Sequence, residues 1–193
     1  MNLRTKGKWI IGLTGSMLSG KSTALAAFAH CGAGVLSADD IVASLYTRPA
    51  VQRALKTAFG TADKTELARL VFADEFQRKK LENLLHPLVF KEMRARIRQL
   101  PQTLIVVEVP LLFEAGWNEY TDLNIVVLAD PKTLPARLKE RRLTRAEYQR
   151  RISTQWPDAQ KAARAEVVFY HATKAELENR VRHFCNSFEV LQK

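Results

Sequence analysis

The chain has 193 residues, of which 47% are hydrophobic and 26% charged, values typical of a soluble globular protein with a single domain. No block of consecutive like charges marks a disordered tail. The formal net charge of +10 favours an anionic partner and leaves nucleic acid, a membrane surface and a phosphorylated small molecule open.

Strand and helix patterns alternate along most of the chain. Residues 9–14 are apolar and β-branched, which is typical of a buried strand. This run is too short for a signal peptide or a membrane span, so we expect a cytoplasmic protein. In chain order, the predicted elements are a strand at 9–14, a helix at 21–30, a strand at 35–37, a helix at 39–46, strands at 104–109 and 123–128, helices at 131–142 and 145–154, a strand at 167–170 and a helix at 174–188.

Residues 51–99 are helical in pattern almost throughout, with apolar side chains at i, i+3 and i+4. Gly60 and Pro87 are expected to interrupt this region. The stretch is long for one crossover, so we predict an inserted helical subdomain. The alternation elsewhere favours an α/β fold with a parallel sheet, in which 104–109 and 123–128 are central strands.

The two cysteines, Cys31 and Cys185, have neither metal-ligand spacing nor the pattern of a disulfide framework. We interpret both as buried or half-buried small side chains, the usual environment of an unbridged cysteine. A reducing compartment is the simplest interpretation of this cysteine usage.

A P-loop motif stands at residues 15–22, which match G-x-x-x-x-G-K-[ST] at every fixed position. Gly15 and Gly20 allow the backbone to wrap its N–H groups around phosphate oxygens, and the following helix directs its positive end to the same anion. Lys21 is expected to reach the β- and γ-phosphates, and Ser22 to offer a hydroxyl to Mg²⁺. The motif predicts that the chain binds a nucleoside triphosphate.

Acidic residues follow two of the predicted strands. Glu108 ends the most apolar strand, where ligands bind in open α/β sheets; it either holds a magnesium-bound water or is a solvated acid, and position alone does not decide. Asp39 and Asp40 follow the second strand. One of them could accept a proton from an attacking hydroxyl, but residue chemistry alone favours a helix N-cap with an acid in the first turn.

Seven arginines lie between residues 137 and 164. Phosphoryl transfer needs cations around the migrating group, often from a mobile segment, and the guanidinium group binds phosphate oxygens bidentately. We expect about one or two of them to contact phosphate and the others to form solvated helix faces. The imidazole of His86 could contact a substrate phosphate, but a lone histidine more often has a structural role.

In order along the chain, these landmarks resemble the dephospho-coenzyme A kinase family from residue 10 to about residue 177. The P-loop alone indicates only an NTPase, whereas the combination is much more specific. The matching segments are Ile-Gly-Leu-Thr-Gly at 11–15 leading into Ser-Gly-Lys-Ser-Thr, Ser-Ala-Asp at 37–39 in place of Asp-Ala-Asp, the His-Pro segment at 84–88, Val-Pro-Leu-Leu-Phe-Glu at 109–114, and Arg-Ile-x-x-Gln-x-Pro at 151–157 with Lys161 following.

The resemblance implies transfer of the γ-phosphoryl group of ATP to the ribose 3′-hydroxyl of dephospho-CoA, the last step of CoA synthesis. It also implies a P-loop fold with a parallel five-stranded sheet flanked by helices, a helical substrate-binding insertion and a lid. The whole chain, 1–193, is then one P-loop kinase domain. Its nucleotide-binding core comprises 9–50, 100–138 and 157–193, its substrate subdomain for CoA 51–99, and its lid 139–156.

The resemblance also assigns roles to individual residues. Asp39 becomes the general base instead of a cap, and Lys21 and Arg141 become catalytic cations, with Arg141 reaching ATP from the lid. The implied ATP site comprises Gly15, Ser16, Met17, Leu18, Ser19, Gly20, Lys21, Ser22, Thr23, Arg141 and His171. Substrate-binding positions are Asp39, His86, Pro110, Leu111 and Glu114, and Mg²⁺ is assigned to Ser22 and Glu108.

The chain departs from the family pattern at several positions: Ser37 for Asp, Ala43 for Arg, Glu166 for Asp, His171 for Asn, and a shorter segment between 60 and 67. These departures leave two alternatives open, a related kinase for another nucleotide or small hydroxylated substrate, and a nucleotide-binding regulator without catalysis. A nucleic-acid role lacks a supporting motif, and a phosphate-rich substrate explains the basic charge equally well. We therefore expect a small-molecule substrate, with neither nucleic acid nor a membrane as partner.

Overall fold

The computed structural model describes residues 3–191, which divide into two compact units. The first unit comprises the described residues up to Leu36 and those from Ile97 onward. The second unit is the stretch Ser37–Arg96, which is almost entirely helical. The first unit carries the P-loop and nearly all of the sheet.

Five strands form one parallel sheet in the order β2-β3-β1-β4-β5. They are β1 (Trp9–Thr14), β2 (Gly34–Ser37), β3 (Leu104–Glu108), β4 (Leu123–Ala129) and β5 (Val167–His171). The chain leaves β1 toward β2 on one side and leaves β3 toward β4 on the other. The carboxyl ends of β1 and β3 therefore flank the crevice in which open α/β sheets bind ligands. The predicted fold class is confirmed.

The helices lie close to their predicted positions. Among the described residues, the α-helices are α1 (Lys21–His30), α2 (Ala38–Tyr46), α3 (Pro49–Phe59), α4 (Lys64–Ala73), α5 (Glu75–Gln99), α6 (Leu134–Glu140), α7 (Arg145–Ile152), α8 (Asp158–Ala162) and α9 (Lys174–Leu191). Short 3₁₀ turns lie at Trp117–Tyr120 and Pro131–Thr133. Each helix in the described part of the chain is too short or too polar to cross a membrane.

In the core of the first unit, α1 and α9 pack against the sheet. The central strands β1, β3 and β4 are buried on both faces, and this burial explains why their sequences are continuous hydrophobic runs. Phe28 of α1 stacks on Phe169 of β5 at 6.4 Å between ring centroids, and Phe184 of α9 meets both rings edge-on at 5.9 and 6.0 Å. Cys31 is half-buried and Cys185 buried beside this cluster, as predicted. The packing anchors α1, whose first turn belongs to the P-loop.

The second unit differs from its prediction at Pro87. Gly60 ends α3 in the left-handed region (φ 76°), as expected for a helix terminus. Pro87, however, lies inside the continuous helix α5, so the predicted interruption there is wrong. Val89 and Met93, buried in the following turns, hold the helix by tertiary packing, and the proline itself is exposed. That packing offsets the backbone hydrogen bond that a proline removes.

A charged network joins α2, the start of α3 and α5 in the second unit. Glu92 of α5 accepts hydrogen bonds from Arg48 at 2.6 Å and from Arg96 at 2.9 Å. Arg96 also donates to the hydroxyl of Ser44 in α2 at 3.0 Å. The bond from Arg48 is the main cause of the lowered pKa of Glu92, followed by the bond from Arg96. The network links the start of α3 to the C-terminal half of α5.

Candidate active site

The P-loop joins β1 to α1 through backbone conformations that favour glycine. Gly15 and Gly20 have φ angles of +151° and +102°. A Cβ atom on Gly15 would lie 2.4 Å from the carbonyl oxygen of Val127, and one on Gly20 would lie 2.9 Å from Nε2 of His171. Leu18 also has a positive φ of 65°, which costs energy for a non-glycine residue. The loop is therefore a tight curve of the type whose N–H groups bind anions.

The first turn of α1 adds positive potential to the P-loop. Lys21 begins the helix, and its Nζ donates to the carbonyl oxygen of Ser16 at 3.0 Å. Ser22 is exposed and Thr23 half-buried in the same turn. This turn, all of it described, contains no acidic residue, so the partial positive charge of the helix terminus is not neutralised there. The arrangement fits a bound phosphate group.

Two side chains from other segments hold the P-loop from outside. His171, at the end of β5, is 2% exposed, and its Nε2 lies 2.7 Å from the carbonyl oxygen of Ser19. Arg137 of α6 donates from Nη1 to the carbonyl oxygen of Leu18 at 2.8 Å. The nucleotide contact of His171 remains a prediction. Both of its ring nitrogens face backbone carbonyl oxygens, the second one that of Thr173 at 3.0 Å.

A third outside contact comes from the segment that follows α7. The hydroxyl of Ser16 donates to the carboxylate of Asp158, the first residue of α8. Asp158 and Arg137 also line a cavity of about 100 Å³ beside the loop, together with Met17 and with Tyr148 of α7. Burial, with a smaller contribution from Asp158, raises the pKa of Tyr148. The outer side of the P-loop therefore contacts the chain on both sides of the predicted lid.

Glu108 ends β3 next to the start of the P-loop. Its backbone is paired with Leu13 of β1, and its side chain is buried, with 7% exposure. This burial contradicts the solvated-acid alternative. Two residues after Glu108, the carbonyl oxygen of Pro110 accepts a hydrogen bond from the hydroxyl of Thr14 at 3.1 Å. The ends of β1 and β3 are thus tied together where the crevice is expected.

A buried ion pair joins the segment after β3 to the segment after α7. Nζ of Lys161, which is 0% exposed, lies 2.9 Å from Oε1 of Glu114 and donates to the carbonyl oxygen of Pro110 at 3.1 Å. The same Oε1 accepts the N–H of Trp156 at 2.8 Å. Oε2 of Glu114 is buried without a hydrogen-bond partner among the described residues. Leu111 is half-buried in this segment.

The predicted lid contains the end of α6 and all of α7. Arg141 is exposed just after α6. Helix α7 begins with a capping box in which Thr144 and Glu147 exchange hydrogen bonds, and these bonds from Thr144 lower the pKa of Glu147. Within the described chain, α7 has no fully buried residue. The helix therefore depends on local interactions more than on packing.

In the second unit, the predicted acids lie at the start of α2. Ser37 occupies the N-cap position, so the prediction of an aspartate cap is wrong, while Asp39 and Asp40 are exposed in the first turn as the same prediction expected. His86 is half-buried in α5; burial lowers its pKa, and Glu82 partly opposes this shift. The catalytic role of Asp39 and the substrate role of His86 remain predictions.

Several contacts of the site were not predicted. Arg137 is one of the seven arginines considered for phosphate contact, but its contact with the P-loop carbonyl of Leu18 and the contact of Asp158 with Ser16 were not expected. Glu166, one of the departures from the family pattern, accepts the N–H of Asn124 at 2.7 Å and ties β4 to the start of β5. These contacts join residues far apart in the chain, and no local pattern indicates them.

Oxygen donors suited to Mg²⁺ are present near the P-loop in the hydroxyl of Ser22 and the carboxylate of Glu108. No group of three or more His, Cys, Asp and Glu side chains within residues 3–191 could hold a metal ion. Magnesium in phosphoryl-transfer sites is commonly held by one or two protein oxygens together with phosphates and water. The donor types are therefore compatible with the ion, and its binding remains a prediction.

Known proteins resemble this chain over most of its length. A family model described as Dephospho-CoA kinase matches residues 9–176. The Dephospho-CoA kinase of Geobacillus kaustophilus is 34% identical over 198 residues, which cover 95% of this chain and 98% of the relative. The crystal structure of TT1252 from Thermus thermophilus has 33% identity and a TM-score of 0.85, covering 93% of this chain and 97% of its own. Dephospho-CoA kinase from Campylobacter jejuni, with 19% identity, a TM-score of 0.59 and coverage of 94% and 97%, is similar in fold.

Proposed function

Because the chain belongs to the dephospho-CoA kinase family, we propose that it transfers the γ-phosphoryl group of ATP to the ribose 3′-hydroxyl of dephospho-CoA, the final step of CoA biosynthesis. Membership confirms the resemblance derived from the motifs, and it makes the chain an ATP-using kinase that acts on a small molecule. A cytoplasmic site of action is part of the same proposal.

The observation that carries the proposal is the glycine cradle of the P-loop, in a chain that matches the family at residues 9–176. Side chains at Gly15 and Gly20 would collide with the surrounding protein, so both positions require glycine, the residue with which P-loops wrap their backbone around an anion. The hydroxyl of Ser19 is buried and has no hydrogen-bond partner among the described residues. These features suit the phosphates of ATP.

In the proposed reaction, the 3′-oxygen of the acceptor forms a bond to the γ-phosphorus as the bond from that phosphorus to the β,γ-bridging oxygen breaks, and ADP leaves. Asp39 accepts the proton of the 3′-hydroxyl. Lys21 and Arg141 stabilise the negative charge on the transferring group. Ser22 and Glu108 would hold Mg²⁺, which would supply positive charge to neutralise the β- and γ-phosphates.

The substrate is tested by incubating the protein with ATP, Mg²⁺ and dephospho-CoA and identifying the product by mass spectrometry. We expect a product with one added phosphate at the ribose 3′ position, formed together with ADP. A panel of other nucleotides and small hydroxylated acceptors runs beside it. Transfer to one of these with none to dephospho-CoA, or tight ATP binding with no transfer to any acceptor, would overturn the proposal.

The base is tested with Asp39→Asn, and Asp40→Asn in the same exposed turn of α2 serves as the matched control. We expect Asp39→Asn to lower kcat by a factor on the order of 100 or more while the Kd for ATP stays nearly unchanged, because the amide cannot take the proton. Asp40→Asn should retain activity. Turnover of dephospho-CoA by Asp39→Asn at the wild-type rate would show that Asp39 is not the base.

A further inference from the structure

His171 lies against the back of the P-loop and makes two polar contacts. Nε2 is 2.7 Å from the carbonyl oxygen of Ser19, and Nδ1 is 3.0 Å from the carbonyl oxygen of Thr173. Carbonyl oxygens only accept hydrogen bonds, so a ring nitrogen that bonds to one of these carbonyls carries a proton. With 2% exposure, the ring has little access to water as an alternative partner.

The ring is held by a rigid corner between β5 and α9. The carboxylate of Glu176 accepts the N–H groups of Ala172 at 2.8 Å and Thr173 at 3.4 Å, and the hydroxyl of Thr173 accepts the N–H of Glu176 at 3.2 Å. These backbone bonds are the main cause of the lowered pKa of Glu176. The second contact of His171 is thus made to a well-ordered helix start.

The contact with Ser19 determines the direction of a neighbouring N–H group. In a planar trans peptide, the C=O and the following N–H point in opposite directions. Because the C=O of Ser19 points to His171, the N–H of Gly20 points away from the ring, toward the inner side of the loop. His171 packs directly against Gly20, since a Cβ there would lie 2.9 Å from Nε2 and 3.0 Å from a methyl carbon of Leu177.

The corresponding contact of Arg137 has a different consequence. Arg137 holds the carbonyl oxygen of Leu18 at 2.8 Å, which orients the N–H of Ser19. That N–H already donates within the loop, to the carbonyl oxygen of Ser16 at 3.1 Å. The peptide held by His171 is therefore the one whose N–H direction bears on an incoming anion.

We propose that His171 is a positioning residue for the triphosphate site, which holds the Ser19–Gly20 peptide so that the N–H of Gly20 faces the bound phosphates. The imidazole also reaches the β5–α9 corner through its other ring nitrogen, Nδ1. This inference rests on the proposed function only in requiring that the P-loop bind ATP.

The test measures the Kd for ATP with Mg²⁺ and without acceptor, by calorimetry, in His171→Leu, His171→Gln and the control His183→Leu. Leucine removes both polar contacts, glutamine can restore one, and His183 is an exposed histidine of α9. We expect about a tenfold or greater rise in Kd for His171→Leu, because a buried hydrogen bond is lost from a site that must be preorganised. His171→Gln should recover most of the affinity, and His183→Leu should match the wild type.

Two further readouts separate positioning from a general loss of structure. The KM for dephospho-CoA should change much less than the Kd for ATP, and in ¹⁵N spectra the Gly20 amide signal should shift on ATP addition in the wild type and less in His171→Leu. Wild-type affinity and an unchanged Gly20 shift in His171→Leu would overturn the inference. If that variant does not fold, the wild-type Nε2–H signal decides: a shift on ATP addition supports the inference, and an unmoved signal overturns it. ATP binding is measured without acceptor, so the result is independent of whether dephospho-CoA is the substrate.

Discussion

Lys161 is a buried cation whose charge is balanced by Glu114 and by the carbonyl oxygen of Pro110. Burial of an unpaired charge is costly. Removing one partner therefore lowers the stability by far more than the intact pair contributes to it. The interaction connects the segment after β3 with the segment after α7. The ion pair therefore stabilises the fold and also holds the segment after β3 in place beside the P-loop.

We predict that Lys161→Met lowers the free energy of unfolding by about 3–5 kcal/mol, because it leaves the Glu114 carboxylate buried without its cation. Urea denaturation measures the loss, with the exposed Lys132→Met as control. The double variant Glu114→Gln, Lys161→Met should lose less than the sum of the two single changes. Strict additivity, or a loss below about 1 kcal/mol for Lys161→Met, would show that the pair is not coupled as described.

His86 predicts a pH dependence of stability. Burial holds its pKa in the folded chain below the ordinary value of 6.5, so the unfolded chain takes up the proton first as the pH falls. The contribution of neutral His86 to the stability of the fold is complete above about pH 6.5. It is lost progressively as the pH falls from there toward the pKa of His86 in the folded chain. Compared with His86→Gln, the wild type should lose stability as the pH falls below about 6.5.

This expectation is checked by urea denaturation at a series of pH values. His183→Gln removes an exposed imidazole and should leave the pH profile of the wild type unchanged. If the difference between wild type and His86→Gln stays constant over this range, burial does not control the protonation of His86.

At the scale of the element, α7 is a helix held mainly by its own N-terminus. It has eight residues, none of them fully buried, and a capping box between Thr144 and Glu147. Short helices are marginal without tertiary packing, so the cap accounts for a large share of the local stability. A helix of this kind can open without the core unfolding, which suits a segment predicted to act as a lid.

We predict that Thr144→Ala costs the helix about 1 kcal/mol, the usual effect of losing an N-cap side chain. Hydrogen exchange of the α7 amides should become about fivefold faster, while exchange in β1 and β3 stays the same. Thr154→Ala is the matched control, because Thr154 follows the helix and its hydroxyl donates to the carbonyl oxygen of Arg151 in the last turn of α7, away from the N-terminal cap. Equal exchange in the wild type and Thr144→Ala would mean that packing holds α7 instead.

At the scale of the whole molecule, the formal charge of +10 acts on any anionic ligand. An increase in ionic strength from about 0.01 M to about 0.15 M shortens the Debye length from about 30 Å to about 8 Å, which screens distant charges but not those in direct contact. We therefore predict a several-fold rise in the Kd for ATP over this range. Calorimetry measures it, with adenosine as the uncharged control, and equal salt dependence of both ligands would contradict it.

Several features of this protein could be predicted from the sequence. The strands of the sheet are continuous apolar runs and the helices have their own periodicity, so local patterns indicate the fold class. The P-loop at 15–22 is contiguous, and its glycines are required by the backbone itself. The motif series was specific enough to indicate the family. The helix interruption predicted at Pro87 is wrong because packing of the rest of α5 outweighs the tendency of proline to end a helix.

Only the tertiary structure decided how the P-loop is supported. The contact of His171 with Ser19 spans 152 residues, and that of Asp158 with Ser16 spans 142. The burial of Glu108 likewise follows from its position between neighbouring strands and not from its own sequence context. The physical reason is that a phosphate-binding turn is specified by backbone conformations within a few residues, whereas the groups that hold it are brought together only when distant strands and helices pack.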